Sequence, residues 1–490
     1  MERPLTLPGL ILPARSEAPP RDVPGGLILS GREVTLHHPF GFTRFYRHGW
    51  QSWSPTGWVE LGAPPVPIDP PIRRTQAEDP VYAASRLPGG SGLGALESGD
   101  GRLLLLGALG IGARVEADGA TLRGFYEEGS GEWFAGYSDE ETVFARYAEL
   151  LGDRLGRRGH GPPSRVWCSW YSFYQGISEE ILTAVLDDLR GFPFQVFQID
   201  DGWQIDVGDW EPNARFPSGM EALARRIEAA GFTPGLWLAP FLVRPSSRLF
   251  RDRPEWLLRD EQGRPVPAGF NWGDFTYALD TTHPEVAGWL VDLIRRVGGW
   301  GYRYLKLDFI YAGALPGARR ERIPREAAYR QALAAVHETA PDAYILACGA
   351  PILASLGIAD ALRVGPDCAP VWNNEARARN LHDRSGPAAL NALRTTLHRL
   401  WLLRLVHVDP DVVYFRSRDN QLTSRQRAYL RDLALITGYK GTSDPPAWLD
   451  REERDALRIF LETTPRVRRL GRYRFGLDDR EADFSEIVAV

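Results

Sequence analysis

The spacing of apolar residues changes partway along this chain, and the change marks a change of architecture. Up to about residue 137, short apolar runs such as GLILSGREVTLHH and RLLLLGALGIGARVEA are broken by turn signals. Asp100-Gly101 and Asp118-Gly119 are hairpin dipeptides, because glycine accepts the positive φ of tight turns. This spacing predicts an antiparallel β-sandwich. The stretch PGGSGLG (88–94) does not fit a phosphate-binding fingerprint and reads as a loop. Ser138, with Glu141 three residues on, predicts a capping box opening a helix that runs to about Leu155. RRGHGPPSR (157–165) reads as a linker, since glycine and proline interrupt regular structure.

Beyond the linker, apolar strands alternate with amphipathic helices. Strand-like runs fall at 166–170, 195–200, 233–239, 302–308, 343–348, 362–366, 411–415 and 439–443. Behind the first, Ile181, Leu182, Val185, Leu186 and Leu189 repeat at helical spacing between Ser178 and Gly191. Further helices are predicted from Ser218 to about Ala230, after Pro284, and at 325–339, 387–405, 424–437 and 450–463, with a short helical turn between the fifth and sixth strands. Alternation implies a parallel sheet, and eight such units imply a (β/α)8 TIM-type barrel. The domains expected are 1–160 (β-sandwich with linking helix), 161–464 (barrel) and 465–490 (a short tail forming a rudimentary β segment).

Composition narrows the function. A net charge of −5 gives no reason to expect nucleic acid or an anionic membrane. Three cysteines, none in a Cys-x-x-Cys motif, read as a reducing compartment. Neither a signal peptide nor a membrane span is apparent, so a cytoplasmic location is expected.

Barrel chemistry sits at the C-terminal ends of the strands, and polar groups recur there. The first strand run ends at Trp170-Tyr171, the second in Asp200-Asp201-Gly202-Trp203, the third carries Trp237, and the fifth ends Cys348-Gly349. The fourth carries Lys306 and Asp308, which project to one side because they lie two apart. The sixth continues Arg363-Val364-Gly365-Pro366-Asp367-Cys368. Lys306 is one of only two lysines among 58 basic residues, and arginine does not replace a compact ammonium where space is tight. Each group also has a plainer reading: a buried ion pair for Lys306 and Asp308, a turn for Asp200-Asp201-Gly202, core packing for Trp237 and Cys348, a cap for Asp367. Their coincidence at successive strand ends favours a site. Two carboxylates on one rim suit glycoside cleavage, one attacking the anomeric carbon and the other protonating the leaving oxygen. A Schiff-base lyase using Lys306, a metal-dependent lyase using the carboxylates, and a non-catalytic sugar-binding protein are the other classes.

WCSWYSFYQGISEE, FQIDDGWQIDVGDWEPNARFPSG, YRYLKLDFIYAGALPG and ACGAPILASLGIADALRVGPDCAPVW, with HGWQSWSP at 48–55, resemble the α-galactosidases of glycoside hydrolase family 36. The resemblance implies an N-terminal β-supersandwich, a (β/α)8 catalytic barrel and a C-terminal β-domain. It implies retaining hydrolysis of terminal α-D-galactosides of the melibiose and raffinose type, without cofactor or metal. A galactosyl transferase would share the same residues. The implied roles are Asp308 as nucleophile and Asp367 as acid/base. Asp200, Asp201, Trp237, Lys306, Cys348, Gly349, Arg363 and Tyr171 would bind the sugar, and Trp53 would reach the rim from the β-domain. The implied partner is an oligosaccharide, with homo-oligomer formation left open. The chain departs from longer bacterial members in Cys348-Gly349-Ala350-Pro351 and in its short tail, which places it with the compact members.

Overall fold

The computed structural model describes residues 2–64, 68, 74–159, 161–373 and 384–488. Two antiparallel sheets lie at the N-terminal end. One runs Glu2–Leu7, Leu10–Arg15, Glu33–His37, Thr121–Tyr126, Ala113–Ala117, Gly89–Ser91. The other runs Arg21–Val23, Gly26–Gly31, Gly131–Ser138, Leu103–Ala108, Leu93–Glu97, Arg44–Arg47, Gly57–Glu60. Strand alternation explains the continuous run RLLLLGA. Leu104 and Leu106 enter the core between the sheets with Leu29, Leu36 and Val115. Leu103 and Leu105 join the larger core that continues into the parallel sheet. A sheet buried on both faces has no polar positions to alternate.

Three local expectations change. PGGSGLG is not a loop: it forms Gly89–Ser91 and opens Leu93–Glu97. Its glycines admit close neighbours; a Cβ on Gly94 would stand 2.5 Å from the Phe45 ring. The helix Glu140–Leu155 is capped by Asp139, not Ser138, which ends a strand; the Asp139 side chain accepts from Thr142 N. The 118–119 turn forms, with the Asp118 carboxylate accepting from Ala120 N and Thr121 N.

The parallel sheet contains β1 (Arg165–Cys168), β2 (Val196–Ile199), β3 (Thr233–Leu238), β4 (Tyr304–Leu307), β5 (Tyr344–Ala347), β6 (Ala361–Arg363), β7 (His407–Asp409), β8 (Val412–Val413) and β9 (Lys440–Thr442). It curls in the manner of a TIM-like barrel, in the order β7-β6-β5-β4-β3-β2-β1-β9-β8. The strand expected at 411–415 therefore begins earlier and is broken. Pro410 has no N–H to give a ladder, and Asp411 has φ +79°. Pairing passes from β6 on one side of this break to β9 on the other.

The helices follow the apolar spacing. Glu179–Asp188 is capped by Ser178, and Arg451–Glu462 by the Asp450/Glu453 capping box. The segment expected as one helix over 387–405 breaks at Arg399, between Ala389–His398 and the 3-10 turn Leu400–Arg404. The tail forms three short antiparallel strands, Val467–Arg469, Arg474–Leu477 and Arg480–Asp483. Among the described residues no helix is long and apolar enough to cross a membrane.

Candidate active site

Strand register assembles the cluster. Trp237 of β3 lies beside Lys306 of β4, and Cys168 of β1 beside Gln198 of β2. Gln198 and Asp200, two apart, face the same side, and Gln198 Nε2 donates to Asp200 Oδ2 at 2.6 Å. Lys306 Nζ donates to that same oxygen at 2.9 Å and stands 3.8 Å from Asp308 Oδ2. The closer partner of Lys306 is thus Asp200, not its sequence neighbour Asp308. Burial alone would depress the ammonium, but Asp200 and Asp308 outweigh it and hold its pKa well above the ordinary value. A lysine held charged in this way is a poor nucleophile toward a carbonyl, which speaks against the Schiff-base reading.

Asp308 follows β4 directly. Its Oδ2 accepts from Trp237 Nε1 at 3.0 Å and its Oδ1 from Phe309 N at 2.8 Å. Phe309 adopts φ +53°, a left-handed conformation costly for a bulky residue and common at functional sites. Asp201 belongs to an adjoining network: Gln175 Nε2 (2.9 Å), Gln204 Nε2 (2.6 Å) and Trp272 Nε1 (2.7 Å) all donate to it. Burial raises its pKa against those bonds.

The opposite flank is built on Arg363, at the end of β6. Arg363 Nε donates to Asp409 Oδ2 at 2.7 Å, Nη2 lies 2.9 Å from Asp411 Oδ1, and Nη1 lies 3.5 Å from Asp367 Oδ1. Asp411 also accepts from Cys368 N (2.7 Å) and the Tyr171 hydroxyl. Asp367 keeps 31% of its side chain exposed, while the neighbouring Arg363 and Asp411 are sealed in. Burial of its carboxyl, then the charge of Asp411, push its pKa up to about 7 against the pull of Arg363 and Lys306; Asp308 adds to the rise. Asp308 is thus fixed by two donors, while the surroundings of Asp367 push it toward its protonated form.

Gly349 has φ +51°, and a Cβ there would stand 2.9 Å from the Trp53 ring and 3.0 Å from Phe309 N. Trp53 packs edge-on against Phe309 with ring centroids 5.0 Å apart. Burial, followed by the charge of Asp308, raises the Cys348 thiol well above its ordinary pKa, so it is no nucleophile. Every residue singled out from the sequence therefore lies at this end of the sheet. Asp409, Asp411, Trp272, Gln198 and Phe309 belong to the same constellation and were not anticipated. Asp409-Pro410-Asp411 after the apolar VHV was the available signal for two of them, and the turn Asn271-Trp272-Gly273-Asp274 between aromatic residues for a third. A cavity of about 370 Å³ lies elsewhere, between Trp58, Phe144, Trp401 and Tyr473. It contains none of these strand-end carboxylates.

Residues 132–339 match the Melibiase family. A solved structure of TtGalA, an α-galactosidase from Thermus thermophilus in complex with p-nitrophenyl α-D-galactopyranoside, is 53% identical, covers 99% of this chain and 100% of that one, and superposes with a TM-score of 0.95. The chain belongs to the family 36 α-galactosidases. A second structure of this relative, in complex with stachyose, gives 54% identity and a TM-score of 0.90 over 94% of this chain and 99% of that one. The family's fold extends to AgaA from Geobacillus stearothermophilus, at 18% identity and a TM-score of 0.61, covering 92% of this chain and 65% of AgaA. By sequence alone, the match to AgaA is 29% identical over 216 residues, 40% of this chain but only 28% of that relative's length.

Proposed function

We propose that this protein hydrolyses terminal non-reducing α-D-galactosides by a retaining double displacement, with oligosaccharides of the melibiose, raffinose and stachyose type as substrates. The observation that carries the reading is the placing of Asp308, gripped by Trp237 and the Phe309 amide, at the same strand ends as Asp367, 3.5 Å from Arg363, where burial and Asp411 push its pKa up. In the first step an Asp308 oxygen bonds to the anomeric carbon. The bond to the leaving oxygen breaks, and Asp367 supplies that oxygen's proton. In the second step Asp367 takes a proton from water, which displaces Asp308. Two inversions leave the α configuration. Glycosylation removes the negative charge of Asp308 that helps raise Asp367, so the pKa of Asp367 falls and its carboxylate is available as the base of the second step.

Asp200, Asp201, Lys306, Arg363, Cys348, Gly349, Tyr171, Trp237 and Trp53 are assigned to the galactose pocket. Arg363 Nη1 supports this: beyond its 3.5 Å ion pair with Asp367 it makes no hydrogen bond among the described residues. Lys306 and Arg363 occupy the spaces between carboxylates that a metal ion would need. We further read the curled sheet as a closed eight-stranded barrel in which β7 and β8 are one interrupted strand. The two N-terminal sheets then form the supersandwich, and the enzyme works in the cytoplasm, consistent with three buried, unpaired cysteines.

A panel of p-nitrophenyl α- and β-glycosides tests the reading. Only the α-galactoside should turn over well, and NMR should show α-galactose as the first-formed anomer. Initial β-galactose would mean inversion and remove Asp308 as nucleophile.

Asp411→Asn should move the alkaline limb of the kcat/KM profile to lower pH. Removing a negative charge that raises Asp367, and releasing Arg363 from one of its partners, both favour ionised Asp367. An unmoved limb would confine Asp411 to holding Tyr171 and the Cys368 amide.

A further inference from the structure

Arg399 is completely buried, yet its hydrogen-bond partners include no carboxylate. Nη1 donates to Ser52 O (2.8 Å) and Val364 O (2.7 Å), and Nη2 to Gly49 O (2.8 Å) and Gln51 O (3.0 Å). Burial without a countercharge pushes its pKa down to about 9. A cation is an expensive way to hold four carbonyls. Only a planar guanidinium presents its donors in a fork that serves several acceptors at once.

The acceptors show what it holds. Three belong to the loop 49–52 of the N-terminal part. The fourth belongs to Val364, next to Arg363. The same loop is zipped onto the segment after β5: Ser52 N donates to Ala350 O (3.2 Å), Ser52 Oγ accepts from Ala350 N (3.1 Å), and Ile352 N donates to Trp50 O (3.0 Å). Trp50 Nε1 is anchored on Glu326 at 2.8 Å. The next residue in the loop is Trp53. Its amide donates to Gln51 Oε1 at 2.8 Å, and its indole lies against Phe309, beside Asp308. Trp53 Nε1 is buried with no hydrogen-bond partner among the described residues.

We propose that Arg399 is a positioning residue of the active site, which by gathering the carbonyls of Gly49, Gln51 and Ser52 onto Val364 sets the Trp53 indole at the pocket mouth. The inference rests on the α-galactosidase reading for its substrate. Arg399 touches no sugar; it acts through the loop. Lysine at this position supplies charge but cannot span four carbonyls, so the loop loosens while the cation stays satisfied.

The test compares Arg399→Lys, Trp53→Ala and the double variant on stachyose. Arg399→Lys should raise KM about tenfold, equivalent to about 1.4 kcal/mol of lost binding, with kcat changed far less. The double variant should match Trp53→Ala alone, because the effect of Arg399 passes through that ring. Faster hydrogen exchange of amides 49–54 in the ligand-free Arg399→Lys protein should accompany it. An unchanged KM, or effects that multiply in the double variant, overturns the proposal. Should Arg399→Lys fail to fold, Arg399→Gln decides, since one amide NH2 can reach at most two of the four carbonyls and buries no charge: an unchanged KM is again fatal. A wild-type protein without α-galactoside turnover would sink the proposed function instead, leaving the exchange measurement to judge the clamp.

Discussion

Asp308→Gly should lose at least about 10⁴-fold in kcat on p-nitrophenyl α-D-galactopyranoside, roughly 5.5 kcal/mol of barrier, and azide should restore much of it. The size follows from chemistry. Without the carboxylate there is no partner to form the glycosyl intermediate, and water on that face has no base beside it. The surroundings survive: Trp237 Nε1 and the Phe309 amide still point at the vacated space, and Lys306 keeps Asp200 as its closer partner. A small anion can enter where the carboxylate stood, and attack from that face gives β-galactosyl azide. NMR of the product distinguishes this from leakage of unaltered enzyme. Full turnover without azide, or an α-configured azide, would remove Asp308 from the role.

The strand-end residues proposed for the reaction could be grouped from the sequence because strand geometry sets their side and their end. Lys306 and Asp308 need only a period of two and a strand end to be placed together; Gln198 and Asp200 obey the same rule, but Gln198 was not anticipated. The supporting residues answer to no such period. Asp409 and Asp411 flank Pro410, which interrupts the strand they complete, so the apolar pattern seems to begin only after them. Trp272 reaches Asp201 from the tip of a hairpin inserted between β3 and β4, a tertiary contact that no local spacing encodes. Arg399 stands in LHRLWLLRL, where an amphipathic helix would turn it toward solvent. Its acceptors lie as much as 350 positions upstream. Lys306 shows the same limit on a smaller scale: its side was readable, but its closer partner came from another strand.

Asp367→Ala should separate substrates by their leaving groups. With stachyose the leaving group is a sugar alkoxide that must be protonated, so kcat/KM should fall about 10³-fold, within the range that general acid catalysis contributes. p-Nitrophenolate leaves without help, and formation of the glycosyl intermediate from it should slow by less than about tenfold. Hydrolysis of that intermediate then limits kcat, because the base is missing too, and azide should accelerate it and yield α-galactosyl azide. The pH profile supplies an independent check. With its pKa raised to about 7, Asp367 in the free enzyme is protonated below that pH and loses its proton as pH rises through it. Wild-type kcat/KM on stachyose should therefore fall on the alkaline side of about 7. The variant should keep no such limb, since the group that titrates is gone. Equal losses on both substrates would assign Asp367 to binding alone, and an alkaline limb persisting in Asp367→Ala would place the titrating acid on another residue.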